Sequence, residues 1–245
     1  MTGILLEQLT WQEAEGILTP EAIVVIPLGA AAKEHGPHLQ LRNDWLIAEY
    51  FKQALLARAD VVVAPTMGAH YYPAFKEYPG SISLRLSTAR DLVVDTVESL
   101  AAFGPRRFYV LNTGVSTVRA LEPAAQVLRE RGVVMTYTAL AAIDQRLPAN
   151  LLTQDGGTHA DEYETSMMLV IAPETVNMDR AVKDYDPRPL PKLTRKGPDE
   201  GMCYSPTGIY GDPTLATRAK GEIIVATMLR VLLDDIEHLR AAPLP

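Results

Sequence analysis

The sequence predicts an α/β fold, in which a mainly parallel β-sheet carries helices on both faces. Short apolar, β-branched runs alternate along the chain with segments of helical spacing, which is the pattern of a parallel sheet. These runs are apolar throughout rather than at every second position, as expected for strands that are buried on both faces. The 245 residues, 47% of them hydrophobic and 22% charged, have the composition of a globular chain. We therefore expect one domain over residues 1–245.

The first half of the chain supplies two predicted strands and two predicted helices. The run AIVVIPLG predicts a strand over residues 22–29, and DVVVAPTMG predicts another over residues 60–68. Between them, residues 44–59 show helical spacing, with an aspartate near the N-terminus. After the apolar stretch SISL, a second helix is expected between Ser87 and Gly104, which are suitable capping residues.

The second half continues the alternation and ends in a long helix. Strands are predicted over residues 107–112 and 132–140, with a helix around residues 120–131 between them. Residues 158–173 contain an apolar, helix-like run, and the last helix is expected near residues 215–240. This order completes the alternation that a parallel sheet requires.

A proline-rich segment, residues 184–206, interrupts this pattern. Four prolines between Asp186 and Pro198 predict that regular structure is excluded there. We expect this segment to run over the surface as a solvated loop, a lid or a subunit contact.

The predicted topology places a ligand pocket beyond the carboxyl ends of the strands. Residues 29–44 and residues 112–117 each follow a predicted strand directly. The two loops are therefore expected to meet at one pocket.

Composition and charge argue against several classes of protein. The formal net charge is −7 and no run of Lys or Arg occurs, which disfavours nucleic-acid binding. The chain has no stretch of 18 apolar residues and no basic, apolar leader, so we expect neither membrane insertion nor secretion. Its single cysteine, Cys203, cannot form an intrachain disulfide. These features predict a cytoplasmic protein.

Histidines and carboxylates cluster in two parts of the chain. His35, Asp44 and Glu164 could supply three ligands to Zn, Mn or Fe, since imidazole nitrogen and carboxylate oxygen suit these ions. Other roles remain open at this point. His35 and His38 could instead satisfy backbone groups of their loop, and Glu164 could be an acid placed by the helix dipole. His159 could be a general acid/base or a turn residue.

Four motifs, in order, resemble the creatininase (creatinine amidohydrolase) family. They are HGPHL with a downstream Asp, PGSISL, HADEYETS and GIYGDPTLATRAKGE, and the match runs over residues 23–239. The resemblance implies a three-layer α/β/α sandwich, frequent assembly into hexamers and a divalent-metal hydrolase site. Members of the family open cyclic amides, remove formyl groups, trim peptides or cleave cyclic keto compounds, so the resemblance implies the machinery better than the substrate.

Two positions depart from the family pattern. The family reads Glu-x-His-Gly-Pro-His-Leu-Pro, and Lys33 stands at the glutamate position. The second loop usually reads Asn-Gly-His-Gly-Gly-Asn, and in NTGVST Gly114 replaces the histidine. The resemblance assigns both missing ligands to the same ion. His35, Asp44 and Glu164 match the other ion, which predicts one divalent ion per chain.

The lysine in this loop suggests a replacement for the missing charge. We expect Lys33 to lie near Asp44 and to take over part of the charge of the missing ion, although an exposed surface lysine is the alternative. In a second alternative the loop is rearranged, Glu34 becomes a ligand and two ions bind. Residues 33 and 35 share a face of an extended segment and residue 34 points away, which disfavours that arrangement.

The resemblance also implies substrate-facing positions, and the residues are compatible with one favoured function and two alternatives. His70, Tyr71 and Ser116 are predicted to contact substrate. We expect a metal-activated water to attack a C–N bond of a small cyclic amide or formamide. His159 is the expected proton shuttle, with Glu162 as a second candidate. Lys33 is expected to stabilise the oxyanion or to anchor an anionic group of the substrate. The alternatives are a hydrolase of cyclic keto compounds that cleaves a C–C bond, and a non-catalytic small-molecule binder. A homo-oligomer, a hexamer by resemblance, is expected.

Overall fold

A five-stranded parallel sheet forms the centre of the protein. The computed structural model describes residues 3–186, 193–196 and 203–245. Within them, the sheet has the strand order β1-β3-β2-β4-β5, and every pair of neighbouring strands is parallel. Its strands are β1 (Ile4–Leu5), β2 (Ile23–Leu28), β3 (Val62–Val63), β4 (Arg107–Asn112) and β5 (Val134–Tyr137). The predicted α/β fold is confirmed.

Helices cover both faces of the sheet. They are α1 (Trp11–Ile17), α2 (Asn43–Leu56), α3 (Leu86–Ala101), α4 (Val118–Arg129), α5 (Leu140–Asp144), α6 (Glu162–Ile171) and α7 (Arg218–Ala241). Single turns of 3-10 helix lie at Leu6–Gln8, Pro73–Phe75, Pro173–Thr175, Met178–Arg180 and Pro213–Leu215. Among the described residues, no helix combines the length and the apolar character that crossing a bilayer requires.

Alternate residues of the central strands enter two separate cores. Ile23 and Val25 of β2 belong to a core built with α2, α6 and α7. Val24 and Ile26 belong to a core on the other face, built with α3 and α4. Because both faces are covered, β2 is buried at each of its six positions, as its uninterrupted apolar sequence predicts. The result is the predicted three-layer α/β/α sandwich.

Several element boundaries differ from the sequence prediction. Strand β4 covers the predicted residues, whereas β3 is limited to Val62–Val63 of the nine predicted residues. Ser87 lies inside α3 rather than capping it, because the helix begins one residue earlier, at Leu86. The N-cap residue is Arg85, and no side chain caps this helix.

The proline-rich segment contains a short strand, so the prediction that it lacks regular structure is wrong. Strand β6 (Leu193–Thr194) pairs in parallel with β7 (Cys203–Tyr204). Neither residue of β6 is a proline, so both backbone N–H groups remain free to donate. The rest of the excursion falls partly on residues 187–192 and 197–202, outside the described residues.

Candidate metal centre and active site

A cavity of about 380 Å³ opens beyond the carboxyl ends of β2 and β4. Lys33, from the loop after β2, and Gly114 and Ser116, from the loop after β4, line it together. His159 and Glu164, at the start of α6, close the other side. The predicted meeting of the two loops is therefore confirmed. The volume lies near the lower end of ligand pockets, which span about 300–1,000 Å³.

Lys33 faces this cavity rather than the solvent. Its side chain is buried, with 4% of the residue exposed, and its Nζ lies 2.7 Å from Oδ2 of Asp44. The ammonium also lies 4.9 Å from the ring centre of Phe75 and 5.4 Å from that of Tyr72. The predicted proximity of Lys33 to Asp44 is confirmed, and the alternative of a surface lysine is wrong.

Asp44 carries its carboxylate between two nitrogen atoms. It lies in the first turn of α2 and is fully buried. Burial by itself would raise the pKa of this carboxyl, but the charges of Lys33 and His35 hold the pKa of Asp44 well below its usual range. Asp44 is therefore a buried anion that requires positive charge around it.

The hydrogen bonds of His35 determine which of its ring nitrogens carries a lone pair. Nδ1 lies 2.9 Å from the carbonyl oxygen of Lys33, and because a carbonyl only accepts, Nδ1–H must donate. In the neutral ring, Nε2 then presents a lone pair, and it lies 2.7 Å from Oδ1 of Asp44. Two acceptors this close need a proton or a metal ion between them.

His159 shows the same arrangement in a second place. Its Nε2–H donates to the main-chain carbonyl of Glu34, at 2.9 Å, and faces the Glu34 carboxylate at 3.2 Å. The Nδ1 lone pair of the neutral ring is therefore turned towards Oε2 of Glu164, 3.6 Å away. Ala160 follows with φ +48, a left-handed conformation that is uncommon outside glycine. Strained backbone of this kind clusters at functional sites.

Glu164 is fixed by the start of α6. Asp161 is the N-cap of the helix and accepts from the Glu164 N–H at 3.0 Å, while the Ala160 N–H donates to the Glu164 carboxylate. Burial raises the pKa of Glu164 to about 7, against the opposing charges of His159 and Lys33.

The side chains around this point fit a divalent ion. His35, His159 and Glu164 each offer one ligand atom, and the three atoms lie within 4.8 Å of one another. Two imidazole nitrogens and a carboxylate oxygen are a donor set that Zn, Mn or Fe accepts. Asp44 is outside this trio, and its Oδ1 lies 2.7 Å from Nε2 of His35. The structure thus groups two of the predicted ligands, His35 and Glu164, with His159, which was predicted to transfer protons, and places the third, Asp44, against His35.

Glu34 does not join the ligand cluster. One of its carboxylate oxygens accepts from the Gly36 N–H and the other faces His159. Gly208, at φ +85, packs against the same carboxyl, so a Cβ at position 208 would overlap it. Burial raises the pKa of Glu34, but the hydrogen bond and the charge of His159 give a net lowering. Glu34 therefore orients the ring of His159 through contacts with its Nε2.

At position 114, where the resemblance implies a ligand to a second ion, the chain has no side chain. Gly114 lines the cavity, and a Cβ there would lie 3.0 Å from Cγ2 of Thr117. The positive charge in this part of the site is therefore the ammonium of Lys33, which lies beside Asp44.

Glu162 is turned away from the cavity. Its carboxylate is ion-paired with Lys220 of α7 and accepts from the backbone N–H groups of Thr153, at 2.8 Å, and Gln154, at 2.7 Å. The helical rotation of about 200° between positions 162 and 164 explains why the two glutamates face different surroundings. Glu162 therefore joins a loop to α7 and does not reach the ligand cluster.

Replacing Lys220 with methionine should test this structural role. We expect the variant to lose about 2 kcal/mol of unfolding free energy, because the buried Glu162 carboxylate loses its charged partner but keeps its backbone donors. Urea unfolding measures the loss, and metal content and turnover of the folded fraction should match the parent protein. A fall in turnover at unchanged stability would contradict this structural role and would support a catalytic role for Glu162.

The three predicted substrate contacts have different positions. Ser116 lines the cavity, and its hydroxyl donates to the Tyr71 carbonyl at 2.9 Å. Among the described residues, the side chains of His70 and Tyr71 are not part of the cavity wall. His70 is fully buried behind it, and this burial lowers its pKa to about 4. The sequence analysis missed other wall residues, Arg119, Asp144 and Tyr163, because helical spacing alone does not show which helix face meets a cavity.

Comparison with known proteins agrees with this geometry. The family described as "Creatininase: Creatinine amidohydrolase" matches residues 7–236. The chain is 28% identical to creatinine amidohydrolase of Pseudomonas putida, over 96% of this chain and 97% of the relative. It is 31% identical to a mycofactocin precursor peptide peptidase of Mycolicibacterium smegmatis, over 88% and 85%. It is 24% identical to 3-dehydro-scyllo-inosose hydrolase of Thermotoga maritima, over 100% and 87%.

Solved structures show the same fold. A crystal structure of creatinine amidohydrolase (creatininase) aligns with a TM-score of 0.72 at 22% identity, covering 98% of each chain. A structure described as "Creatininase Mn" aligns with a TM-score of 0.73 at 22% identity, covering 98% of this chain and 100% of the other. Together with the family match over most of the chain, these findings confirm the resemblance carried by the four motifs. The chain belongs to the creatininase family and is a hydrolase of that family.

Proposed function

We propose that this hydrolase cleaves a C–N bond of a small cyclic amide or formamide with the help of one divalent ion, Zn, Mn or Fe. The observation that carries the proposal is the cluster of His35, His159 and Glu164, whose ligand atoms lie within 4.8 Å of one another. Oδ1 of Asp44 lies 2.7 Å from Nε2 of His35, beside this cluster. Imidazole nitrogens and carboxylate oxygens gathered in this way suit a bound cation, and His159 and Glu164 line the cavity.

Three of these residues would hold the ion. We assign the ligand role to His35, Asp44 and Glu164, since the ionised Oδ1 of Asp44 lies 2.7 Å from Nε2 of His35 and could bind the same ion. When bound, the ion would activate a water and polarise the carbonyl to be attacked. His159 in place of Asp44 is the alternative ligand set, because its Nδ1 lies within reach of the same point.

Lys33 supplies a second, permanent positive charge. An ammonium has three N–H donors, and the Nζ of Lys33 lies 2.7 Å from Oδ2 of Asp44. In the proposed reaction, donors that Asp44 does not use donate to the oxyanion that forms when a carbonyl carbon is attacked. Because Phe75 and Tyr72 flank the ammonium, little water competes for these donors.

His159 moves the proton to the leaving nitrogen in this proposal. Its Nδ1 faces the cavity, while the carbonyl and carboxylate of Glu34 hold its Nε2–H and so orient the ring. A ring oriented in this way can accept a proton at Nδ1 and deliver it to the amine as the C–N bond breaks.

The size of the cavity supports a small substrate. A volume of about 380 Å³ suits a single ring with its substituents better than an extended peptide. A relative named for creatinine, itself a cyclic amide, supports the same choice. The relative named for an inosose supports cleavage of a cyclic keto compound as the second candidate.

Metal stoichiometry, measured by plasma mass spectrometry on gel-filtered protein, is the first test. We expect about one ion per chain, together with hydrolysis of at least one member of a panel of lactams, cyclic ureides and formamides. A content of two ions per chain would support the alternative in which Glu34 is a ligand and two ions bind. A chain that neither contains nor binds an ion would leave the non-catalytic binder as the explanation. Turnover confined to cyclic ketones would establish the second candidate.

His159→Gln separates the two ligand sets. If His159 transfers protons, the variant should lose turnover and keep its ion, because His35, Asp44 and Glu164 remain. Loss of the ion would instead place His159 among the ligands. We also propose a homo-oligomer, which light scattering on the full chain would size.

A further inference from the structure

Arg119 lies on the wall of the same cavity as Lys33, His159 and Glu164, in the first turn of α4. Its side chain is exposed at this wall. Within residues 3–186, 193–196 and 203–245, its guanidinium makes neither an ion pair nor a hydrogen bond. The five N–H donors of this guanidinium are therefore available to a molecule that enters the cavity.

The other charges of the cavity make Arg119 the favoured position for an anion. Lys33 is compensated by Asp44, 2.7 Å away. The remaining charged residues of the wall are the carboxylic acids Asp144, Asp161 and Glu164, on the side formed by α5 and the start of α6. The proposed ion would compensate Glu164, so Arg119 is the cation of the wall that lies outside the ligand cluster and, in the described part of the chain, has no acidic partner. An anionic group attracted to Arg119 and repelled by Asp144 and Asp161 therefore has a favoured position away from the ion.

We infer that Arg119 binds a carboxylate of the substrate, which is therefore an anionic small amide rather than a neutral one. A guanidinium fork matches the two oxygens of a carboxylate in a bidentate pair. A singly charged carboxylate suits the cavity better than a dianionic phosphate, because three carboxylic acids also line it. With the carboxylate at α4, the amide points to His159 and Glu164. This orientation rests on the proposed function, whereas the binding of the carboxylate does not.

Matched probe pairs test the inference on the full-length, metal-loaded protein. One pair is 5-oxoproline and 2-pyrrolidone, and the other is dihydroorotate and dihydrouracil. Within each pair the ring amide is kept and only the carboxylate is removed. Calorimetry should show the carboxylated member binding about 10- to 100-fold more tightly in at least one pair, the range expected for hydrogen bonds between charged groups.

Variants of Arg119 assign this preference to its side chain. Arg119→Met should abolish the preference, and Arg119→Lys should restore part of it, since an ammonium keeps the charge but not the fork. Arg129→Met is the matched control, because Arg129 is an exposed arginine in the last turn of the same helix and is not part of the cavity wall. It should leave all affinities unchanged.

The outcomes separate this inference from the proposed function. Equal binding within both pairs, a preference that survives Arg119→Met, or no binding of either carboxylated probe would overturn the inference. If carboxylate binding depends on Arg119 but no amide is hydrolysed, the proposed function fails and the inference stands. If neutral amides are hydrolysed and Arg119→Met has no effect, the inference fails and the proposed function stands.

Discussion

His35→Ala is expected to remove the bound ion and to lower kcat/KM on the order of 10³-fold, the largest effect of any single substitution in this site. The imidazole of His35 is a proposed ligand and contacts Asp44, which is another proposed ligand. The variant therefore removes one ligand and leaves Lys33 beside the Asp44 carboxylate. A catalytic ion contributes several kcal/mol to the transition state, and each ~1.4 kcal/mol is a factor of ten in rate. Plasma mass spectrometry and steady-state kinetics measure the two losses.

His38→Ala is the matched control for this variant. His38 lies in the same loop, is also 1% exposed, and its Nε2 lies 2.8 Å from the Thr165 hydroxyl, outside the ligand cluster. Both variants should lower the thermal midpoint, because each removes a buried ring. Only His35→Ala should lose the ion. An ion retained at full occupancy in His35→Ala would show that the metal centre has been placed wrongly.

Lys33→Met is expected to lower kcat by about 10²- to 10³-fold while the ion is kept. The substitution preserves the length of the side chain but removes the donors that face the developing oxyanion, and loss of one such donor has an effect of this size. KM should change little, because the oxyanion exists only after the attack. The expected metal content stays at the parent value, since Lys33 itself binds no ion.

Lys52→Met controls for the loss of a buried lysine. Lys52 is 6% exposed, and its Nζ lies 2.6 Å from Glu49 on the same helix, outside the cavity wall. Both methionine variants should be less stable than the parent, but Lys52→Met should keep its turnover. Parent-like turnover in Lys33→Met would rule out the oxyanion role and leave Lys33 as a purely structural partner of Asp44.

The sequence was sufficient for the fold because local signals and global topology agree in the central strands. Strand β4 was predicted to the residue, since RFYVLN is an uninterrupted run between a helix end and a loop. Strand β6 could not be predicted, because two residues carry no periodicity and the pairing depends on a partner ten positions away. Neighbouring prolines dominated the local signal there.

The site was predictable where one loop contains the interacting residues and less so where distant elements meet. The loop after β2 contributes Lys33 and His35, and their proximity to Asp44 followed from motif spacing and charge. The different surroundings of Glu162 and Glu164 follow from helical geometry, which the sequence analysis did not apply. Arg119 was missed because only the three-dimensional structure shows that the first turn of α4 lines the same cavity as residues of α5 and α6.

In the proposed one-ion site, the pairing of Lys33 with Asp44 reduces the dependence of this enzyme on the supply of metals in its surroundings. A binuclear site must be loaded twice, and each position can be filled by a wrong ion, since affinity for most ligand sets follows the Irving–Williams order whatever the function needs. A lysine is part of the chain, stays in place when free metal is scarce, and cannot be exchanged for copper or removed by a chelator. One of the two positive charges proposed beside Asp44 therefore needs no metal, and only the other has to be bound from solution.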